Sequence, residues 1–357
     1  MHTERRKIAS DLPSPAALAE RLPRSERAAA SVEHGRRAIR DALHGKDPRF
    51  VAIVGPCSIH DPAAAREYAE RLARLARELG DTLSLVMRTY FEKPRSALGW
   101  KGLINDPQLD GTYDLALGLA RAREILCAVN ERGVPCATEI LDPIVRHYTG
   151  DLLAWACVGA RTSESQIHRE MASGLPLPVG IKNPTSGELA PAVDAVVTAR
   201  GSHCHLGVSP DGGFVRIETS GNADAHLVLR GGARGPNFAP GDVARAAELL
   251  APLGLARPIL VDCSHGNSGK DPALQPEVLR AVVEQFAADQ TPLLGAMLES
   301  QLEPGRQALR PGTAPASGIS LTDACLGWSE TQELLREVAE RLRRSKRRAP
   351  AGSMARL

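Results

Sequence analysis

Four basic side chains close short apolar runs in this 357-residue chain: Arg88 ends LSLVMR, Arg161 ends WACVGAR, Lys182 ends PVGIK and Arg230 ends HLVLR. Two more cations, Lys93 and Arg95, follow the first of these runs in the segment Lys93-Pro94-Arg95-Ser96. A single basic residue at the end of an apolar run is usually a surface charge. Several brought together away from water repel by several kcal/mol, so convergence makes sense only around a ligand with more than one anionic group. Arginine suits that task because its planar fork meets carboxylate or phosphate oxygens in pairs. A second set stands at other run ends: Cys57, His265, Glu299 and Asp323. Thiolate, imidazole and two carboxylates could together hold one divalent metal, Mn2+, Fe2+, Co2+ or Zn2+. Their scattered spacing gives this no support, and taken alone Cys57 reads as a small core residue and His265 as a hydrogen-bonded histidine.

Both sets can meet only if the runs are parallel strands opening on one side. Eight such runs alternate with helical segments: Val51–Pro56, Leu83–Arg88, Cys136–Ile140, Trp155–Arg161, Pro178–Lys182, His226–Arg230, Pro258–His265 and Leu293–Ser300. Asp61-Pro62 supplies a cap and a first-turn proline, and Tyr68, Leu72, Leu75 and Leu79 then recur at helical spacing. Eight strand–helix units over about 250 residues predict an α/β fold, a (β/α)8 TIM barrel whose chemistry sits at the carboxyl ends of the strands. Two insertions interrupt the pattern. Phe91 to Tyr113 is too long for an ordinary connection, and His203 to Thr219 alternates around Asp211-Gly212-Gly213 as an inserted β-hairpin would.

Residues 1–48 read as an N-terminal extension, broken by Pro13, Pro15 and Pro23 into short helical pieces, with Ala17, Leu18 and Leu22 making one of them amphipathic. The barrel is predicted over 49–345 and a disordered tail over 346–357. Ser329 and Gln332 suggest a capping box opening a last helix that carries Leu334, Leu335, Val338 and Leu342. Composition removes other classes. Lys+Arg of 44 against Asp+Glu of 42 and 3% aromatics leave neither the charge nor the stacking rings that nucleic acid needs. No apolar stretch approaches the ~20 residues that span a bilayer. Seven cysteines, an odd count, and no signal-like segment near Met1 predict a cytoplasmic protein without disulfides.

The segments GPCSIHD (55–61), YFEKPRSALGWKGLIND (90–106), GARTSESQIHRE (159–170), SGNADAHLVLRGG (220–232), DCSHGNS (262–268) and TDACLGW (322–328) resemble class I 3-deoxy-D-arabino-heptulosonate 7-phosphate (DAHP) synthase, over nearly the whole chain. The resemblance implies a metal-dependent, aldol-like condensation of phosphoenolpyruvate with D-erythrose 4-phosphate, releasing phosphate at the first step of the shikimate pathway. Carried over by position, Arg88, Lys93, Glu139, Gly159, Ala160, Arg161, Lys182 and Arg230 would hold phosphoenolpyruvate. Lys93, Pro94, Arg95 and Ser96 would receive erythrose 4-phosphate. Cys57, His265, Glu299 and Asp323 would bind one divalent metal per subunit. Lys93 and Glu139 would act on protons and water during the reaction. Cys325 is expected close to Cys57. The resemblance also implies a homodimer or homotetramer in which the extension packs on a neighbouring subunit.

The chain departs from the family pattern at Pro184, Ser186 and Ser96, and at His205 and Pro176, where relatives bind an inhibitory aromatic amino acid. Which aromatic amino acid inhibits, if any does, stays open at this point, as does the native metal. Three other readings compete: a sister enzyme using arabinose 5-phosphate, a Schiff-base aldolase built on Lys182, and a silent scaffolding barrel. Lys-Pro-Arg-Ser disfavours the first of these.

Overall fold

A strand shielded on both faces has no solvent side to alternate toward, so its apolar run is continuous. A computed structural model, describing residues 10–288, 291–310 and 312–348, shows that outcome. The barrel strands are β1 (Phe50–Gly55), β2 (Leu83–Arg88), β3 (Cys136–Glu139), β4 (Trp155–Val158) and β5 (Val179–Lys182), then β8 (Ala225–Leu229), β9 (Ile259–Asp262) and β10 (Leu293–Glu299). Every residue of β1, β4, β5, β8, β9 and β10 is buried. They close in the order β1-β10-β9-β8-β5-β4-β3-β2, and β1 pairs in parallel with both β2 and β10. The predicted barrel is therefore present, strand for strand. Several runs end one residue earlier than the sequence suggests, and two end three residues earlier. Because β4 stops at Val158 and β9 at Asp262, Arg161 and His265 stand in the loops beyond.

Between β5 and β8 the chain makes the expected hairpin, β6 (His203–Val208) paired antiparallel with β7 (Phe214–Thr219). Its turn accepts a left-handed residue at Gly212, φ 89°. Helices α3 (Pro62–Leu79), α4 (Leu115–Glu131), α6 (Gln166–Ser173), α7 (Ala190–Arg200), α8 (Pro240–Leu250) and α9 (Gln275–Ala287) flank the barrel, with the four-residue α5 (Arg146–Thr149) after β3. Asp61 caps α3 as predicted, its carboxylate accepting from the N–H groups of Ala63 and Ala64. The last helix, α10 (Trp328–Arg348), begins one residue before Ser329, so the predicted capping box is not its start. The hydroxyl and N–H of Thr331 both donate to the Gly327 carbonyl, which sets the boundary there. The helix also runs past 345, so the tail expected from 346 is helical to Arg348, and 349–357 lie outside the described residues.

The N-terminal extension differs most from expectation. After α1 (Pro15–Arg21), Ser25 caps an 18-residue helix, α2 (Glu26–Leu43), longer than the short pieces the prolines suggested, because no proline lies between Pro23 and Pro48. Its Ile39, Ala42 and Leu43 join a cluster with Val51, Ile53, Val86, Trp155, Val228, Leu260, Leu294 and Met297 inside the barrel. Arg36 donates to the carbonyls of Gly150 and Leu153, and Arg40 and His44 reach Asp224 at 2.7 and 3.1 Å. Those partners precede β4 and β8, so α2 plugs the amino-terminal end of its own barrel, opposite the end where the cations gather.

Candidate active site

At the carboxyl end of the strands lies a cavity of about 980 Å³ lined by Lys93, Pro94, Arg95, Ser96, Glu139, Ala160, Arg161, Lys182, Arg230, His265 and Asp323 among others. The predicted cations thus converge, with one exception. Arg88 is 0% exposed and lies beneath the cavity, its Nη2 donating to Glu299 Oε1 at 3.0 Å and its guanidinium 3.9 Å above the Tyr90 ring. Gly159 is likewise behind the wall. A Cβ there would come within 2.1 Å of Glu139 Oε1, so the missing side chain is what lets the Glu139 carboxylate lie against the backbone.

The charges are unevenly balanced. Lys182 Nζ sits 3.0 Å from Asp262 Oδ2 and 3.9 Å from Glu139 Oε2. Burial works against its ammonium, yet these carboxylates hold its pKa above the usual lysine range. Arg230, 7% exposed, has no carboxylate in hydrogen-bond contact among the described residues. Burial lowers its pKa, and nearby Arg161 adds to the lowering. Arg161 itself is exposed, and its Nη2 donates to Ser96 Oγ at 3.0 Å, joining the loop after β4 to the Lys-Pro-Arg-Ser segment. That quadrant holds excess positive charge, which an anion would relieve.

Asparagines unforeseen in the sequence hold this rim. Asn183 Oδ1 accepts from the Arg230 N–H and from Asn237 Nδ2, while Asn237 N donates to Asn267 Oδ1. Asn267 Nδ2 in turn reaches the carbonyls of Leu229 and Asp262. The loops also touch backbone to backbone. A Cβ on Gly232 would lie 2.3 Å from Gly187 Cα, and one on Gly266 would lie 2.4 Å from the Gly232 nitrogen.

Ligand atoms of Cys57, Glu299 and Asp323 lie within 4.8 Å of one another. His265 was expected with them and stands just outside, its Nε2 3.9 Å from Glu299 Oε1. Cys57 Sγ accepts from the Thr322 hydroxyl at 2.9 Å and the Asp323 N–H at 3.4 Å, contacts that favour electron density on sulfur. Against that, burial and then Glu299 push the Cys57 thiol up to about 12. Lys93 Nζ stands 3.5 Å from Glu299 and 3.6 Å from Asp323, a positive charge where the acceptors converge. One soft and several hard donors around one point fit a first-row divalent cation. Cys325, as expected, is Cys57's buried neighbour, and after burial itself it is Cys57 that pushes the Cys325 thiol furthest above its usual range.

Glu92 was not foreseen either. It is 4% exposed beside Lys93, one oxygen accepting from the Asp142 N–H at 3.4 Å, and burial lifts its pKa from 4.5 to about 8. The folded state therefore holds a proton that the unfolded chain has lost between those values, and this group costs stability progressively as pH rises through that window. Glu92→Gln is expected to match wild type near pH 4.5 and to exceed it above pH 8, read as urea midpoints at both pH values. Equal differences at the two ends would contradict the assignment.

Comparison with known proteins places the geometry in context. Residues 25–336 match the DAHP synthetase I family. The Phe-sensitive phospho-2-dehydro-3-deoxyheptonate aldolase of Escherichia coli (strain K12) is 47% identical over 329 residues, covering 92% of this chain and 94% of that protein. The Tyr-sensitive enzyme of the same organism is 46% identical over 332 residues, covering 93% of each. A solved structure of phospho-2-dehydro-3-deoxyheptonate aldolase from Francisella tularensis SCHU S4 superposes with a TM-score of 0.91 at 40% identity, over 95% of this chain and 98% of that one.

Proposed function

The chain belongs to the DAHP synthetase I family and condenses phosphoenolpyruvate with D-erythrose 4-phosphate to DAHP and phosphate, and from that premise we propose how its residues divide the work. The reaction opens the shikimate route to the aromatic amino acids. The observation carrying the assignment of roles is the excess positive quadrant of Arg161, Arg230 and Lys182 above a cluster of acceptors. Those three cations and the Ala160 backbone would hold the phosphate and carboxylate of phosphoenolpyruvate. Arg88, one layer lower, would reach the deepest anionic group and steady Glu299. Fixing the enol face in this way turns an encounter into an orientation.

Arg95 and Ser96, with Lys93 and Pro94, would receive the phosphate of the sugar. A divalent cation on Cys57, His265, Glu299 and Asp323 would supply Lewis acidity toward the aldehyde oxygen. As C3 of the enol attacks the aldehyde carbon, Lys93 would donate a proton to the oxygen that becomes the new hydroxyl. Glu139, held against Gly159, would position the water that adds at C2 before the phosphate leaves. The Schiff-base alternative is disfavoured, since Asp262 keeps Lys182 an ammonium and a nucleophilic amine must be neutral.

Feedback control by an aromatic amino acid is proposed at a second cavity of about 380 Å³, lined by Ser173, Leu175, Pro176, Ile217 and Thr219 at the hairpin base. The relatives named Phe-sensitive and Tyr-sensitive support that reading. Assembly as a homodimer or homotetramer is supported by apolar hairpin side chains that face outward, Leu206 at 76% and Phe214 at 83% exposure. We place residues 49–348 in one catalytic unit with α2 as its floor. A cytoplasmic location is supported by seven cysteines, all free.

Phosphate release from phosphoenolpyruvate tests the whole reading. It is expected with erythrose 4-phosphate and not with arabinose 5-phosphate, to fall to background with a chelator, and to return with added Mn2+. Turnover unaffected by exhaustive chelation would remove the metal from the mechanism.

A further inference from the structure

We infer that Asp262 and Ser264 form a proton-ordering pair that fixes the tautomer of His265 and so prepares its Nε2 to receive a cation. Asp262 is 0% exposed at the end of β9, and Ser264, in the loop after it, is 3% exposed. Asp262 Oδ1 accepts the Ser264 hydroxyl at 2.6 Å and the Ser264 N–H at 3.0 Å. The serine proton is thereby committed to the carboxylate. Ser264 Oγ lies 2.8 Å from His265 Nδ1, and Asp262 Oδ2 lies 3.0 Å from the same nitrogen. The serine oxygen, its own proton committed, offers Nδ1 a lone pair, and the negative charge of Oδ2, which makes no hydrogen bond of its own, favours a hydrogen on the same nitrogen. Nε2 is left with its lone pair, 3.9 Å from Glu299 Oε1 and facing the acceptor cluster.

The same carboxylate holds Lys182, 3.0 Å away, through Oδ2. Asp262 thus stands between the ammonium proposed to grip phosphoenolpyruvate and the imidazole proposed to face the metal, touching neither substrate itself. It and Ser264 are positioning residues. Outer partners of this sort, when removed, typically weaken metal binding by about 10- to 100-fold.

The inference rests on the reading of His265 as a ligand, and the experiment separates the two. Metal-free protein labelled with 15N-histidine is examined by long-range 1H–15N correlation, with His265→Ala identifying the signal. The expected result is a protonated Nδ1 and a bare Nε2; a protonated Nε2 would overturn the inference with no variant needed. Mn2+ binding is then titrated calorimetrically. Asp262→Asn is expected to raise the Mn2+ dissociation constant by about 10- to 100-fold, and Ser264→Ala, the smaller change should the first variant not fold, to raise it severalfold and mix the two tautomers. Folded variants that bind Mn2+ within twofold of wild type and keep one tautomer would also overturn it. If His265→Ala itself binds Mn2+ normally, the ligand assignment has failed instead, and the tautomer measurement still decides the pair's role.

Discussion

Lys93→Met is expected to slow the chemical step by at least about 100-fold, the lower end of what a positioned proton donor contributes. Lys93 is 8% exposed, and the other cation on Glu299, Arg88, is sealed beneath the cavity and too weak an acid to donate in its place. Burial opposes its charge, but Cys57, Glu299 and Asp323 hold its pKa well above the usual lysine value, so it remains charged throughout the working pH range. A second consequence separates this role from a merely structural one. The ammonium lies between the carboxylates that would hold the divalent cation, so it competes for their field. The methionine variant should therefore bind Mn2+ at least as tightly as wild type while single-turnover condensation collapses. Chemistry at the wild-type rate would eliminate Lys93 as the donor, and loss of metal binding in parallel would make it a scaffold.

Glu299→Gln should be the most damaging single change to stability at this site. Its carboxylate, 2% exposed, takes the buried guanidinium of Arg88 at 3.0 Å and lies 3.5 Å from Lys93. An amide keeps the shape and the hydrogen-bond acceptor but leaves two buried cations without their counter-charge. Stranding a buried charge costs about 3–5 kcal/mol. Some relief comes from Asp262 and Asp323, so the lower end, roughly 3 kcal/mol, is the expectation for chemical denaturation. Divalent cations should no longer raise the melting temperature of the variant. A fully stable variant would mean that Arg88 and Lys93 find compensation elsewhere.

How much of this was legible depended on whether the signal lay along the chain or across it. The barrel strands could be read because burial on both faces leaves unbroken apolar runs such as ILVD and LLGAMLE. The cations at their ends followed from the same runs. Where helices begin was less legible, since Ser329 offered a cap while the helix starts one residue earlier, at Trp328. Asp262 escaped notice because a carboxylate inside PILVDCSH looks like the end of a strand. Its meaning appears only when β5 and β9 bring Lys182 and His265 to either side of it. Asn183, Asn237 and Asn267 are the same case, three amides far apart in sequence that meet across neighbouring loops. Arg88 shows the converse limit. Its position at a strand end was right, and the depth of its side chain could not be read from order alone.

The contacts among Gly187, Gly232 and Gly266 carry a last consequence. Main chain resting on main chain makes a hinge-free seam whose spacing is set by peptide dimensions, not by the bulk of any side chain. The surrounding residues can drift in size and polarity without moving the rim, while a single methyl group at Gly232 or Gly266 would wedge it open. Engineering a broader choice of aldose acceptor should accordingly leave these glycines untouched and work on the side chains from Pro94 to Leu98 that line the mouth.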